Sequence, residues 1–187
     1  PIKKSQNEFN AFKTKAGRTV YDGGGVLPDI EIEETKMATV TDAVVKNDAI
    51  FNFSTQWYYK NPTVSGIPTI SDTDYAAFKA FLKQEKITLD TETNKALKNV
   101  LETAKKEKMD AQIAAEYKQL ELAIEKNQEL ELDKNKNQIK KLIQEELITR
   151  YQYREGLYQF YTKENLEIEK AIALLNNQTQ YKSILKK

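Results

Sequence analysis

Apolar residues recur along most of this chain at the three- and four-residue spacing of a helix face, and they do so only beyond residue 40. Val44, Val45, Ile50, Phe51, Phe53 and the run Trp57 to Tyr59 predict an apolar helix of about 18 residues beginning near Thr41. Asn61-Pro62 should end it, because the residue before proline avoids helical backbone. Ser71-x-x-Asp74 has the form of a capping box and should start a second helix with Tyr75, Phe78, Phe81 and Leu82 on one side. Thr88-Leu-Asp90 offers the next start. Leu97, Val100, Leu101 and Ala104, then Met109, Ile113, Tyr117, Leu120 and Ile124, keep the helical spacing, and Leu130 and Leu132 close the series. Whether 97–132 forms one helix or two is open on the spacing. After a polar break at Asp133–Asn137, Ile139, Leu142, Ile143, Leu147 and Tyr151 define another helix. Leu166, Ile168, Ala171, Ile172, Leu175 and Tyr181 define the last.

The first forty residues have a different pattern. Four of the six glycines lie there, at 17, 23, 24 and 25, and all four prolines precede residue 69. Phe12 to Tyr21 predicts a β-hairpin, with Ala16-Gly17 as its turn and the β-branched and aromatic Thr19-Val20-Tyr21 as its second strand. Asp22-Gly-Gly-Gly25 needs backbone angles that a side chain resists. Leu27 to Ile32 reads as extended, and Pro28, lacking an N–H, belongs at a strand start or an edge. The fold class expected is mostly α: an antiparallel helical bundle or long helical hairpin with a short N-terminal β-hairpin. The expected division is a β-rich 1–40 and a helical 41–187. No internal repeat is present.

Composition removes several functions. Lys and Arg number 29 against 28 Asp and Glu, and acidic side chains interrupt every basic cluster, which argues against a nucleic-acid partner. No apolar run approaches the roughly 20 residues of a membrane span, and no secretion signal is visible. Cysteine and histidine are both absent, so a Ser-His-Asp triad, a Cys-His pair and a histidine-containing zinc site are excluded within this chain.

Four features invite chemistry, and each has a plainer reading. The triple glycine lacks the Gly-Lys-Ser/Thr ending of a phosphate loop and runs into Pro28, so it reads as a backbone turn. Asp133-x-Asn135-x-Asn137 opens like a calcium loop, but Gln138 and Gln144 stand where glycine and glutamate are required. Ser183 lies close to Lys186 and Lys187, yet a catalytic lysine must be buried and these residues end the chain. Five aromatics crowd 151–161. Tyr153, Leu157, Phe160 and Tyr161 fall on one helical face and Tyr151 and Tyr158 on another. Bundle packing is the plain reading; the sharper one makes Trp57, Tyr58, Tyr59, Tyr153, Phe160 and Tyr161 a contact surface for a peptide or partner, where tyrosine is favoured. The carboxylates alternate with lysines as on solvated helices and form no acid–base couple.

One resemblance goes further. Ala16-Gly17-Arg18-Thr19-Val20-Tyr21 followed by Gly25-Val26-Leu27-Pro28-Asp29-Ile30 resembles the end of the catalytic domain in the C-terminal processing peptidases, or tail-specific proteases. Members end that domain with a strand, a Pro/Ser-Gly-Arg turn, a second strand and Gly-Ile-x-Pro-Asp-Ile/Val. Gly17, Arg18, Gly25, Pro28 and Asp29 occupy the motif positions. The chain departs by the inserted Asp22-Gly23-Gly24, by Lys15-Ala16 where Pro-Ser is common, and by valine for isoleucine. The match covers about 20 of 187 residues. It implies a parent serine endopeptidase with a Ser/Lys dyad and a PDZ domain, acting in the periplasm or cell envelope on protein substrates. In that family the dyad precedes the Gly-Arg turn. No segment here matches it, so the chain is expected to hold no catalytic residue, metal or cofactor and to be inactive alone. Its expected partners are its own catalytic domain and, through the parent, polypeptide substrates. The alternative is a helical scaffold or adaptor with no enzymatic parent.

Overall fold

The computed structural model describes residues 10–22, 28–33, 36–89 and 91–185. It is mostly helical, with a short two-stranded antiparallel sheet near the N-terminus. Two compact units are present: Lys36–Tyr158, and Pro1–Thr35 together with Gln159–Lys187.

In the second of these, β1 (Ala11–Lys13) pairs with β2 (Thr19–Tyr21), Phe12 lying opposite Val20. The turn works as its residues suggest: Gly17 takes φ +78°, and the Thr14 N–H donates to the Arg18 carbonyl at 2.8 Å. Asp22 accepts from the Asn10 main-chain N–H at 2.9 Å and closes the open end. No strand is formed over 28–33, where an extended segment was expected. The triple glycine and Leu27 lie outside the described residues. The same unit holds the end of a long helix and then α7 (Leu166–Asn176) and α8 (Gln178–Leu185). The single last helix expected over 166–181 is interrupted at Asn177, whose ψ of +80° leaves the helical range.

The unit 36–158 carries α1 (Thr39–Lys46), α2 (Ala49–Lys60), α3 (Asp72–Gln84), α4 (Glu92–Lys106), α5 (Ala114–Lys134) and most of α6 (Lys136–Glu164). The helix expected over 41–59 is two helices. Asp48 takes φ +53°, which Asn and Asp tolerate better than most side chains, and the chain turns there although its apolar spacing continues. Asn61 ends α2 ahead of Pro62, as expected. The capping box forms in full: Ser71 Oγ accepts from the Asp74 N–H at 3.1 Å, and Asp74 Oδ2 accepts from the Ser71 N–H at 2.9 Å. The helix expected to begin at Thr88–Asp90 begins at Glu92, capped by Thr91.

The stretch 97–132 is two helices, and the cause is local. Lys108 takes φ +56°; its N–H donates to the Lys105 carbonyl and the Met109 N–H to Ala104. That pair of bonds is a Schellman end, with lysine where glycine is usual. Lys86 at φ +51° ends α3 in the same way, its N–H on Lys83 and the Ile87 N–H on Leu82. The polar break at Asp133–Asn137 shrinks to Asn135, which donates back to the Glu131 carbonyl and accepts the Ile139 N–H.

One core occupies this unit, formed by Val44, Ile50, Phe53, Tyr75, Phe78 and Leu82 with the buried row of α6, Ile139, Ile143 and Leu147. Phe53 meets Phe78 edge-on at 5.2 Å between ring centres. At Tyr153, φ +57° and ψ −156° interrupt the helical path of α6. Just beyond, a Cβ on Gly156 would run into the Gln152 side chain and lie 3.2 Å from Ile148.

Two substitutions test this description through the urea midpoint of the full chain. Lys108→Gly should raise stability by about 0.5–1 kcal/mol, because glycine adopts the required positive φ without strain. Gly156→Ala should lower it by about 1–3 kcal/mol through overpacking. A neutral Gly156→Ala would show that Gln152 and Ile148 have room to move aside.

Candidate functional site

The glycine-arginine and proline-aspartate motifs are brought together. Arg18 donates from its guanidinium to the Asp29 carboxylate across eleven residues, and both side chains remain partly solvated. Gly17 makes the turn that aims Arg18, and Asp29 comes directly after Pro28 in the irregular stretch. Gly25 lies outside the described residues. A surface ion pair of this kind contributes at most about 1 kcal/mol, so its effect is to fix the path of 28–33 beside the hairpin and not to stabilise the chain.

The aromatic residues separate into different roles. Trp57 and Tyr58 are half-buried against the core, and Tyr59 is 77% exposed. Trp57 donates from Nε1 to Asp74 Oδ1 at 2.9 Å, so the tryptophan of α2 holds the same carboxylate that caps α3. Tyr151 from α6 packs at a tilt against Tyr58, 4.8 Å between ring centres, and meets Trp57 edge-on at 6.3 Å, and its hydroxyl donates to the Asn61 carbonyl. Burial, and then the neighbouring Tyr58, push the Tyr151 phenol above its ordinary pKa. Tyr153 is 73% exposed whereas Phe160 is 6% exposed and packs near Tyr161, 5.9 Å between ring centres. The non-helical backbone at Tyr153 interrupts the helical spacing from which one shared face was expected.

Asp74 shows how these contacts add. Burial opposes its ionisation and is the largest single influence, but the hydrogen bonds from Ser71 and Trp57 together outweigh it and hold the carboxyl below its ordinary value of 3.8. Asp133 and Asn135, the start of the calcium-like sequence, are committed elsewhere: Asp133 pairs with Lys79 at 2.6 Å and Asn135 bonds the Glu131 carbonyl.

A groove between α3 and α5 was not anticipated from the sequence. Its volume is about 590 Å³. Leu82, Ile87, Leu89 and Leu132 supply its apolar part. Two ion pairs bridge its walls, Lys79–Asp133 at 2.6 Å and Lys83–Glu129 at 2.5 Å. Beneath one end, the Tyr75 hydroxyl donates to the Leu132 carbonyl at 2.6 Å, and burial, then Asp133, push that phenol up to about 12. The signal that could have revealed it is the charge order. Lysines at 79, 83 and 86 run against acids at 133, 129 and 125, the spacing of two antiparallel helix faces. Among the described residues no group of three or more acidic side chains is placed to hold a metal ion, and no helix is long and apolar enough to cross a membrane.

Comparison with known families gives one finding. The model of the family described as "Probable PDZ-protease, C-terminal helical domain" matches residues 40–175, and the chain belongs to that family. No curated protein and no solved structure matches the chain.

Trp57 is the one tryptophan in the sequence, so its fluorescence reports on Asp74 directly. The lowered pKa means that the carboxylate stabilises the fold above pH 3.8, and that this contribution disappears as the pH falls through the lower folded value. Trp57 emission should titrate with a midpoint below 3.8, and Asp74→Asn should abolish that step. A midpoint at or above 3.8 would contradict the arrangement.

Proposed function

We propose, on the premise of that family membership, that this chain is the non-catalytic C-terminal region of a serine endopeptidase that processes proteins near their C-termini. The observation that carries the reading is the order of its parts. The Gly-Arg and Pro-Asp motifs at 17–29 immediately precede a segment, 40–175, that matches the helical domain of a protease family. In this reading 1–40 is the end of the catalytic domain and 41–187 the helical domain. The Arg18–Asp29 pair supports it, because it joins the two motifs that the resemblance treats as one closing structure.

The chemistry in this reading belongs to a Ser/Lys dyad upstream of the hairpin. The helical region contributes by shaping the access of polypeptide substrates or by docking against the catalytic domain. The parent works in the periplasm or cell envelope, where the resembling peptidases act. A scaffold without an enzymatic parent is the weaker alternative, since it leaves the protease family match without a cause.

The test is made on the parent enzyme with residues 41–187 deleted. Hydrolysis of a short unstructured peptide should stay within about threefold of the intact enzyme, while preference among protein substrates, or assembly, changes by about tenfold or more. Unchanged preference and assembly would refute the role. The present chain, incubated with casein, should leave it intact, and turnover copurifying with the chain would refute the upstream placement of the dyad.

A further inference from the structure

At one place in α6 the backbone and the residue types favour opposite conformations. Tyr153 takes φ +57° and ψ −156°, angles that tyrosine rarely adopts and glycine adopts readily, although helix precedes and follows it within Lys136–Glu164. Gly156 lies three residues further on and is buried. A Cβ placed on Gly156 would overlap the Cβ of Gln152 and lie 2.7 Å from its Oε1. The Gln152 Cβ is positioned by its own backbone, so no change of rotamer relieves the overlap. In an unbroken helix, Cβ atoms four residues apart are about 5–6 Å from each other. The bend therefore requires glycine at 156, and a continuous helix does not.

Glycine is the poorest residue in a helix interior after proline, whereas tyrosine is ordinary there. Gly156 thus favours the bend and Tyr153 the helix. A permanent bend would be better made with glycine at 153, and a permanent helix with almost any other residue at 156. The contacts around the bend separate a fixed part of α6 from a free part. Ile148 is fully buried, the Tyr151 hydroxyl donates to the Asn61 carbonyl, and Gln152 Nε2 donates to the Gly66 carbonyl at 2.7 Å. These contacts hold α6 as far as residue 152. Tyr153, Arg154 and Glu155 are exposed, so their backbone can rotate without opening the core formed with Ile139, Ile143 and Leu147.

We propose that Tyr153–Gly156 is a hinge at which α6 exchanges between the bent path and a continuous helix. In the continuous form Tyr153 returns to helical angles and lies one turn from Leu157 on the same face, and the close approach of Gly156 to Gln152 is released. Whatever binds one form better than the other draws the population toward it, which makes the hinge a point at which the helical domain can be regulated.

NMR relaxation dispersion on the isotopically labelled full chain tests it. Exchange on the microsecond-to-millisecond scale is expected at the amides of 152–157, with a minor population of about 1–10%, and not at 139–148. Tyr153→Gly should hold the bend and quench that exchange. Gly156→Ala should hold the continuous helix: the strong intraresidue amide-to-Hα Overhauser effect that marks positive φ at Tyr153 should vanish, and the Cα shifts of 153–156 should become helical. The shifts of 155–158 in the unaltered chain should fall between those of the two variants. The dispersion measurement on the unaltered chain decides the matter even where a variant fails to fold. Flat dispersion profiles across 152–157, exchange that persists in Tyr153→Gly, or positive φ kept at Tyr153 in a folded Gly156→Ala would each overturn the proposal.

Discussion

The unit 36–158 depends on the first half of α6. Ile139, Ile143, Leu147 and Ile148 are fully buried, and each contributes on the order of 1.5–3 kcal/mol by leaving water. The polar residues beside that row are equally committed. Gln144 donates to the Pro68 carbonyl at 2.8 Å, Gln152 to the Gly66 carbonyl at 2.7 Å and Tyr151 to the Asn61 carbonyl. Arg150 reaches the Phe51 carbonyl at 3.2 Å and Thr55 at 2.9 Å. The loop between α2 and α3, interrupted by Pro62, Gly66 and Pro68, cannot make a regular ladder of its own, and a distant helix supplies the donors that its carbonyls need.

That arrangement explains why the two ends of α3 serve different purposes. Its start is held by the capping box and by Trp57, so the loop and α2 meet the helix at one carboxylate. Its end is a Schellman turn at Lys86, where the chain leaves the helix and lines the groove. Asp72, beside the cap, receives Lys136 at 2.8 Å and Lys140 at 3.1 Å from α6. Those two lysines hold the Asp72 carboxyl below its ordinary pKa, Lys136 having the larger effect. The ion pairs between α3 and its neighbours lie near the cap and along the groove.

Local chemistry was legible in the sequence and distant pairing was not. Ser71 and Asp74 are three residues apart, so their capping box could be read directly, as could the Asn61-Pro62 stop and the Gly17 turn. The break at Asn47–Asp48 was obscured because the apolar spacing runs through it, although Asp48 is a residue that tolerates the left-handed turn. Lys86 and Lys108 gave no such clue, since lysine has no preference for positive φ and neither residue type nor spacing marks the turn. Tyr151 and Asn61 are ninety residues apart, and Tyr75 and Leu132 fifty-seven. No periodicity encodes contacts of that range. The groove is made of such contacts, which is why only its charge order left a trace in the sequence.

The two units also differ in how they are held, and the difference bears on the functional reading. The unit 36–158 buries one continuous set of side chains from α1, α2, α3, α5 and α6. In the unit containing the hairpin, Phe160 is the buried hydrophobic residue among those described, while Leu166, Ile172 and Leu175 of α7 and Phe12 of β1 stay 44% exposed or more. A two-stranded hairpin with three-residue strands is marginal by itself, and an ion pair as solvated as Arg18–Asp29 cannot make up the deficit. Among the described residues, the segment bearing the peptidase-like motifs is thus the part with the least core of its own.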